Sequence, residues 1–328
     1  MKENGLKGIV GKCLRAVGLF AMGMVLAGCG GLMGSVTSLN INGDFSGTRV
    51  MKLGYSQATA ENLRSALPNI QANAYATLPA ELSLDVSPDG AKYTYTVSLP
   101  FSSREDYQAK VQRLIAFNRS CFPSAYYAGA VPVPEITFIQ GADGEFFYKE
   151  NFTDMDLING WLTKAHYDAG IEIKDEDGNY KPIDNVMTGS VPSHFFMNGR
   201  DCALSVEPLR DQIRIDSRRI STTGYYDSND DYQHSPYESW TWVQNAEGQW
   251  QFCSPAGEPL RNRWIDNNYY VDGNGFMVTG WFQDPLTQYW HYFYEDSTES
   301  HKQGQLATYI SKDGGHIDQD GVWTKDGV

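Results

Sequence analysis

The chain is 328 residues long and 41% apolar, more than a single domain of roughly 100–150 residues requires, so two folded units with sizeable cores are expected. Its formal charge of −14 argues against nucleic acid and anionic lipid headgroups as direct partners, because like charges repel at long range. The same acidity leaves room for a cationic ligand and serves solubility equally well.

In chain order, Lys2, Lys7, Lys12 and Arg15 make a basic start, and Ala16 to Leu26 is a short apolar run. This is the pattern of an export signal, and the run is too short to span a bilayer comfortably. It ends in Leu26-Ala27-Gly28-Cys29, which resembles the lipobox of bacterial lipoproteins. The resemblance implies a signal peptide over 1–28, cleavage before Cys29 and lipidation of that cysteine. The protein is then expected on the extracellular face of the cell membrane, held by acyl chains that gain about 0.8 kcal/mol per buried CH₂. An ordinary signal peptide that happens to contain a cysteine is the alternative. Gly30 to Ser38 reads as flexible, which sets a tether over 29–38.

Leu39, Ile41, Phe45, Val50, Leu53 and Tyr55 suggest strands broken by Gly43 and Gly47. Ser56 opens a helix in which Ala60, Leu63, Ala66, Leu67 and Ile70 recur at helical spacing, with Pro68 weakening its last turn. A hairpin follows: Leu82, Leu84 and Val86 lead to Pro88-Asp89-Gly90, and Tyr93, Tyr95, Val97 and Leu99 return. Ser102 with Glu105 reads as a capping box for a second helix, whose inner stripe is Tyr107, Val111, Leu114 and Ile115. This order predicts an α+β domain over 39–225, an antiparallel sheet with helices on one face. Within it, Ile136 to Ile139 and Phe146 to Tyr148 flank a glycine turn, Asp154 is placed to cap a helix through Tyr167, and Glu172 to Ile183 turns at Asp175 to Gly178. Gln212 to Ile220 reads as a strand. The polar stretch Tyr225 to Tyr237 sets a linker over 226–239.

From residue 240 the composition becomes aromatic and periodic. After Trp264 come Tyr269-Tyr270, Gly275, Met277 and Thr279-Gly280-Trp281. Upstream, Trp242, Trp250-Gln251-Phe252, Gly257, Leu260 and Trp264 repeat the plan. Downstream, Trp281 leads to Trp290-His291-Tyr292, then Gly304, Leu306, Thr308 and Tyr309, and the tail Ile317-Asp318, Gly321 and Trp323 looks like a closing half-unit. This region resembles the choline-binding or cell-wall-binding repeat of Gram-positive surface proteins. The resemblance implies a short β-hairpin solenoid over 240–328, in which each hairpin buries its face on its neighbours. It also implies a ligand, either choline on teichoic acid held by ring quadrupoles or a wall glycan stacking on the same rings. Asn268 stands where the cluster tryptophan of the Trp264 unit is expected, so the best candidate site combines Trp281, Trp290 and Tyr292, closed by Tyr309. Trp264, Tyr270 and Trp250 are the ligand-binding candidates of the upstream units. Each ring has solenoid core as its other role, and Met277 is expected to pack.

Other chemistry is weak. Asp227, Asn229, Asp231 and Glu238 follow the spacing of a calcium loop, but Tyr232 stands where the turn glycine belongs. No two histidines sit at metal spacing, so neither metal nor cofactor is expected. Cys121, Cys202 and Cys253 remain after export; Cys121–Cys202 pairing and free buried thiols both stay open. No catalytic residue is assigned, and paired carboxylates such as Asp154 and Asp156 read as helix caps. The expected role is binding of wall polymer by a cell-surface lipoprotein. The competing one is a wall-modifying enzyme with the repeats as its targeting module.

Overall fold

In the computed structural model, residues 32–89, 92–121, 133–141, 144–174, 180–182, 186–187, 191–192, 194–209, 212–226 and 232–325 are described. The export signal and Cys29 lie outside them, as do Asp227, Asn229 and Asp231 of the calcium spacing. The chain divides into two units, the first of Met1–Glu135, Asn151–Asp201 and Arg210–Gln212, the second of Ile136–Glu150, Cys202–Leu209 and Ile213–Val328. The hairpin at 136–150 and the strand from Ile213, both expected in a first domain over 39–225, therefore belong with the aromatic repeats. So do the described residues of the expected linker, 226 and 232–239: Ser235 is buried and its hydroxyl donates to Ser221 O at 2.5 Å.

In the first unit, strand β1 (Met33–Ile41) pairs antiparallel with β2 (Gly47–Tyr55), from Met33 opposite Tyr55 to Ile41 opposite Gly47. The tether expected over 29–38 is thus strand from Met33 onward. Its small polar residues suggested flexibility, yet Met33 and Thr37 are buried in phase with Leu39 and Ile41, the two-residue period of a sheet with one face covered. With β3 (Ser83–Asp89) and β4 (Lys92–Phe101), the sheet runs Arg200–Asp201, His194–Met197, β1, β2, β4, β3. The expected antiparallel sheet is mixed: His194–Met197 joins β1 in parallel.

The unit also holds helices α1 (Gln57–Leu63), α2 (Leu67–Ala76), α3 (Arg104–Cys121) and α4 (Gly160–Asp168), a π-helical turn at Met155–Asn159 and a small hairpin of Glu172–Lys174 with Tyr180–Pro182. Pro68 does not weaken the end of one helix; it sits in the first turn of α2, where its missing N–H has no intrahelical partner to lose. The capping box is one residue later than expected, with Asp106 N–H donating to Ser103 Oγ at 3.1 Å while Asp106 Oδ2 accepts from Ser102 N–H. The inner stripe of α3 is as read: Tyr107, Val111, Leu114 and Ile115 are buried.

Asp154 makes no helix-capping bond. Its carboxylate takes Arg49 Nε at 2.7 Å and Nη2 at 2.6 Å, and Thr37 Oγ1 at 2.5 Å. Arg49 Nη1 donates onward to Tyr107 Oη at 2.9 Å. Tyr55 Oη donates to His166 Nε2 at 2.5 Å, and His166 Nδ1 donates to Leu162 O at 2.7 Å. All these groups are buried, and burial pushes the His166 imidazole down to about 4.

The second unit begins with a four-stranded sheet ordered Val206–Leu209, Gln212–Asp216, Phe146–Glu150, Ile136–Gln140. The strand expected over Gln212 to Ile220 is broken at Ser217 and Arg218, and Arg219–Ile220 pairs instead, in parallel, with Trp264–Ile265. Small hairpins follow: Thr241–Gln244 with Trp250–Cys253, Arg263–Ile265 with Tyr269–Val271, and Gly280–Gln283 with Trp290–Phe293. Ile310–Lys312, Gly315–Ile317 and Trp323–Lys325 close the series. Each hairpin is too small for a core of its own, and successive ones share clusters: Phe252, Ile265 and Val271; then Trp264, Tyr270, Phe293 and Leu306; then Tyr292, Ala307 and Ile317. The glycine period has a steric cause. A Cβ on Gly304, at φ +77, would overlap the Met277 thioether, and one on Gly321, at φ +71, would lie 2.6 Å from Leu306 Cδ2. Met277 therefore packs on the following unit, as expected. Cys121, Cys202 and Cys253 are all free thiols.

Candidate functional site: an aromatic cluster on the 280–293 hairpin

Strand pleating decides which rings meet. Trp281 lies opposite Tyr292 and Gln283 opposite Trp290, so Trp281, Tyr292 and Trp290 share one face while Phe282, His291 and Phe293 turn to the other. The ring centroids of Trp281 and Tyr292 are 5.3 Å apart at 60°, and those of Trp281 and Trp290 are 6.5 Å apart at 81°. The three residues expected to form the site are together. Trp281 is 37% and Trp290 41% exposed, while Tyr292 forms the buried floor.

A fourth ring comes from the closing half-unit. Trp323 stands edge-on to Trp281, centroids 5.7 Å apart at 76°. Its position was visible in the repeat phase, but its convergence depends on the hairpin Ile310–Ile317 that precedes it. That hairpin turns at Asp313 (φ 50) and Gly314 (φ 73), a two-residue loop with both residues left-handed. The turn is clamped by two indoles: Trp281 Nε1 donates to Asp313 Oδ2 at 2.8 Å, and Trp323 Nε1 donates to Lys312 O at 2.9 Å. Lys312 was also missed, although its Nζ sits 4.0 Å from the centroid of the Tyr292 ring. Tyr292 Oη donates to Glu295 Oε2 at 3.0 Å, and burial together with Glu295 holds the phenol above its ordinary value.

The remaining candidates lie elsewhere. Tyr309 is 70% exposed and donates to Gln319 Oε1 at 3.2 Å; it does not close the cluster. Trp264 and Tyr270 are 7% and 1% exposed, and their rings pack at 5.2 Å on one another. The ligand role expected of these two gives way to core packing, because both rings lie in one buried cluster with Phe293 and Leu306. Burial accordingly pushes the Tyr270 phenol up to about 12. Trp250 is half-buried on a separate hairpin, opposite Gln244.

A polar recess in the same unit involves Lys149, Asp216, Asp284, His291 and Asp320. Its charges are largely engaged in structure. Arg218 Nη2 binds Asp216 Oδ2 at 2.6 Å and Asp284 Oδ2 at 2.8 Å, Lys149 pairs with Asp320, and His291 Nδ1 donates to Gly321 O at 2.7 Å. Burial opposes ionisation of Asp284, and Arg218 overcomes it, holding the carboxyl below its ordinary value. Among the described residues no group of three or more His, Cys, Asp or Glu side chains is placed to hold a metal. No described helix is long and apolar enough to cross a membrane.

No family model matches the chain, and no curated protein matches it. Solved structures similar to it come from Streptococcus pneumoniae. The choline-binding domain of CbpL is 16% identical at a TM-score of 0.22, covering 47% of this chain and 85% of that one. CbpJ of strain TIGR4 is also 16% identical, at a TM-score of 0.21, with 47% of this chain and 49% of that one covered. The modular autolysin LytC, solved with a synthetic peptidoglycan ligand, is 15% identical at a TM-score of 0.14, with 47% and 37% covered. For the last two, less than two thirds of the solved chain is spanned.

Proposed function

We propose that the protein is a cell-surface lipoprotein that binds cell-wall polymer through the aromatic cluster of its hairpin region. The observation that carries this reading is the convergence of Trp281, Trp290, Tyr292 and Trp323 on one face, with both Trp281 and Trp290 partly open to solvent. In this reading the hairpins form a solenoid of choline-binding-repeat type behind an α+β domain, and Cys29 carries the lipid that holds the chain on the outer face of the membrane. Lipid at one end and polymer at the other combine weak contacts through effective concentration.

Two ligand groups fit partly open rings. A choline substituent of teichoic acid gains roughly 0.5–2 kcal/mol from a well-placed aromatic face, and Glu295 and Asp313 beside the rings favour a cation. A wall glycan stacks on the same indoles. Catalysis is not part of the proposal.

Isothermal titration with choline and with purified wall polymer tests the binding. Heat that is released by the wild type and lost in the Trp281→Ala/Trp290→Ala double variant is the expected result. Absence of heat with both ligands would sink the proposal. Loss of membrane partitioning and of fatty-acid labelling in Cys29→Ala tests the anchor.

A further inference from the structure

The Tyr292 ring already carries a cation. Lys312 Nζ lies 4.0 Å from its centroid, close enough for attraction by the ring quadrupole, and Lys312 makes no salt bridge among the described residues. The arrangement is held from the backbone. The Lys312 carbonyl accepts from the Trp323 indole, and Asp313 accepts from the Trp281 indole, so two rings of the cluster fix the turn that delivers the ammonium to a third. Glu295 and Asp313 border the site without pairing with that ammonium.

We propose that Lys312 is a specificity-determining residue, an internal competitor for the position that a quaternary ammonium ligand would take. This rests on the aromatic cluster being the polymer site. A trimethylammonium group needs ring faces with van der Waals access, and the Tyr292 face is filled in cis. A ligand ammonium therefore has to displace Lys312, while a neutral sugar stacking on Trp281 and Trp290 does not. The site as built favours the uncharged glycan over choline, and neutralising Lys312 reverses that order. Alternatively, Lys312 is only a surface side chain resting on a ring, in which case its removal leaves ligand preference unchanged.

The test is titration of the full chain with choline, following tryptophan fluorescence, in four forms: wild type, Lys312→Gln, Lys312→Arg and Lys302→Gln. The last removes the same charge from an exposed loop. Lys312→Gln is expected to bind choline about two- to thirty-fold more tightly than wild type, the range set by one cation–ring contact, while Lys312→Arg and Lys302→Gln stay at the wild-type value. The Lys312 ε-methylene protons are expected upfield of their ordinary position in the wild type, and to return when Tyr292→Leu removes the ring. Equal choline affinity in wild type and Lys312→Gln overturns the inference, as does an equal gain in Lys302→Gln, which would mean a general field effect. Failure of every form to bind choline also overturns it. The polymer-binding reading still stands in that case if wall polymer binds the wild type and not Trp281→Ala/Trp290→Ala.

Discussion

Trp281 and Tyr292 stand directly opposite one another across the Gly280–Gln283 and Trp290–Phe293 strands, ring centroids 5.3 Å apart, and the Trp281 indole N–H is tied to Asp313 of the next hairpin. One ring thus belongs to two successive hairpins at once. Its rotamer is set before any ligand arrives, so ordering it on binding costs little side-chain entropy.

Exposure separates the two tryptophans that begin successive repeats. Trp281→Ala is expected to weaken polymer binding at least about tenfold, as loss of a central aromatic anchor does, and to leave the fold standing. Trp264→Ala is expected to do the reverse. Its ring packs on Tyr270, His291 and Phe293, so truncation opens a core cavity and costs about 3–5 kcal/mol. Urea denaturation alongside titration with wall polymer separates the two outcomes. A Trp264→Ala protein of undiminished stability would contradict the assignment of that ring to the core.

The repeat spacing made the meeting of Trp281, Trp290 and Tyr292 legible, because a two-residue period on paired strands fixes which side chains share a face. Burial was not legible. Trp264 and Trp281 occupy the same phase of the plan, yet Trp264 lies over Phe293 and Leu306 from later in the chain while Trp281 stays partly open. Lys312 gave no signal because its place over Tyr292 depends on the Asp313-Gly314 turn. Asp154 read as a helix cap because its partner Arg49 lies far back in the sequence, on β2. The strand at Met33–Ser38 was hidden because small polar residues, Ser35 and Thr37, stand on its inward face, where Thr37 is fully buried.

The Arg49–Asp154 pair makes the first unit sensitive to charge. Asp154→Asn keeps the side-chain shape but takes the Asp154 charge away from the guanidinium in a closed interior. The expected loss is about 3–5 kcal/mol, measured by denaturation of the first-unit transition. Arg49→Met with Asp154→Leu removes both charges and is expected to recover most of that loss. If the double variant is no better than the single, the cost lies in packing and not in the loss of the Asp154 charge.

His166 gives the same unit an acid limit. Its folded value of about 4 lies below the ordinary 6.5 because burial disfavours the imidazolium. Protonation would also set a second N–H against the Tyr55 hydroxyl, which now donates to Nε2. Between these two values the unfolded chain binds more protons than the folded one. The contribution is therefore fully present above 6.5 and is lost as pH falls toward 4, by up to about 3 kcal/mol. His166→Gln is expected to flatten that part of the stability profile, and an unchanged slope would show that other groups set it.

Gly304 tests how successive repeats interlock. Its φ of +77 suits glycine, and a Cβ there would overlap the Met277 side chain of the preceding unit. Gly304→Ala therefore meets two penalties: a left-handed backbone with a Cβ, costing about 1–2 kcal/mol, and displacement of a packed thioether. Met277 is flexible at its far end, so the second penalty is expected to be the smaller. In a Met277→Ala background the overlap is gone and only the backbone penalty remains, so a double-mutant cycle read by urea denaturation should give a coupling of about 0.5–1 kcal/mol. A coupling of zero would mean that Met277 moves aside freely and that backbone conformation alone selects glycine here. A positive coupling identifies the Met277–Gly304 contact as a spacer between hairpins.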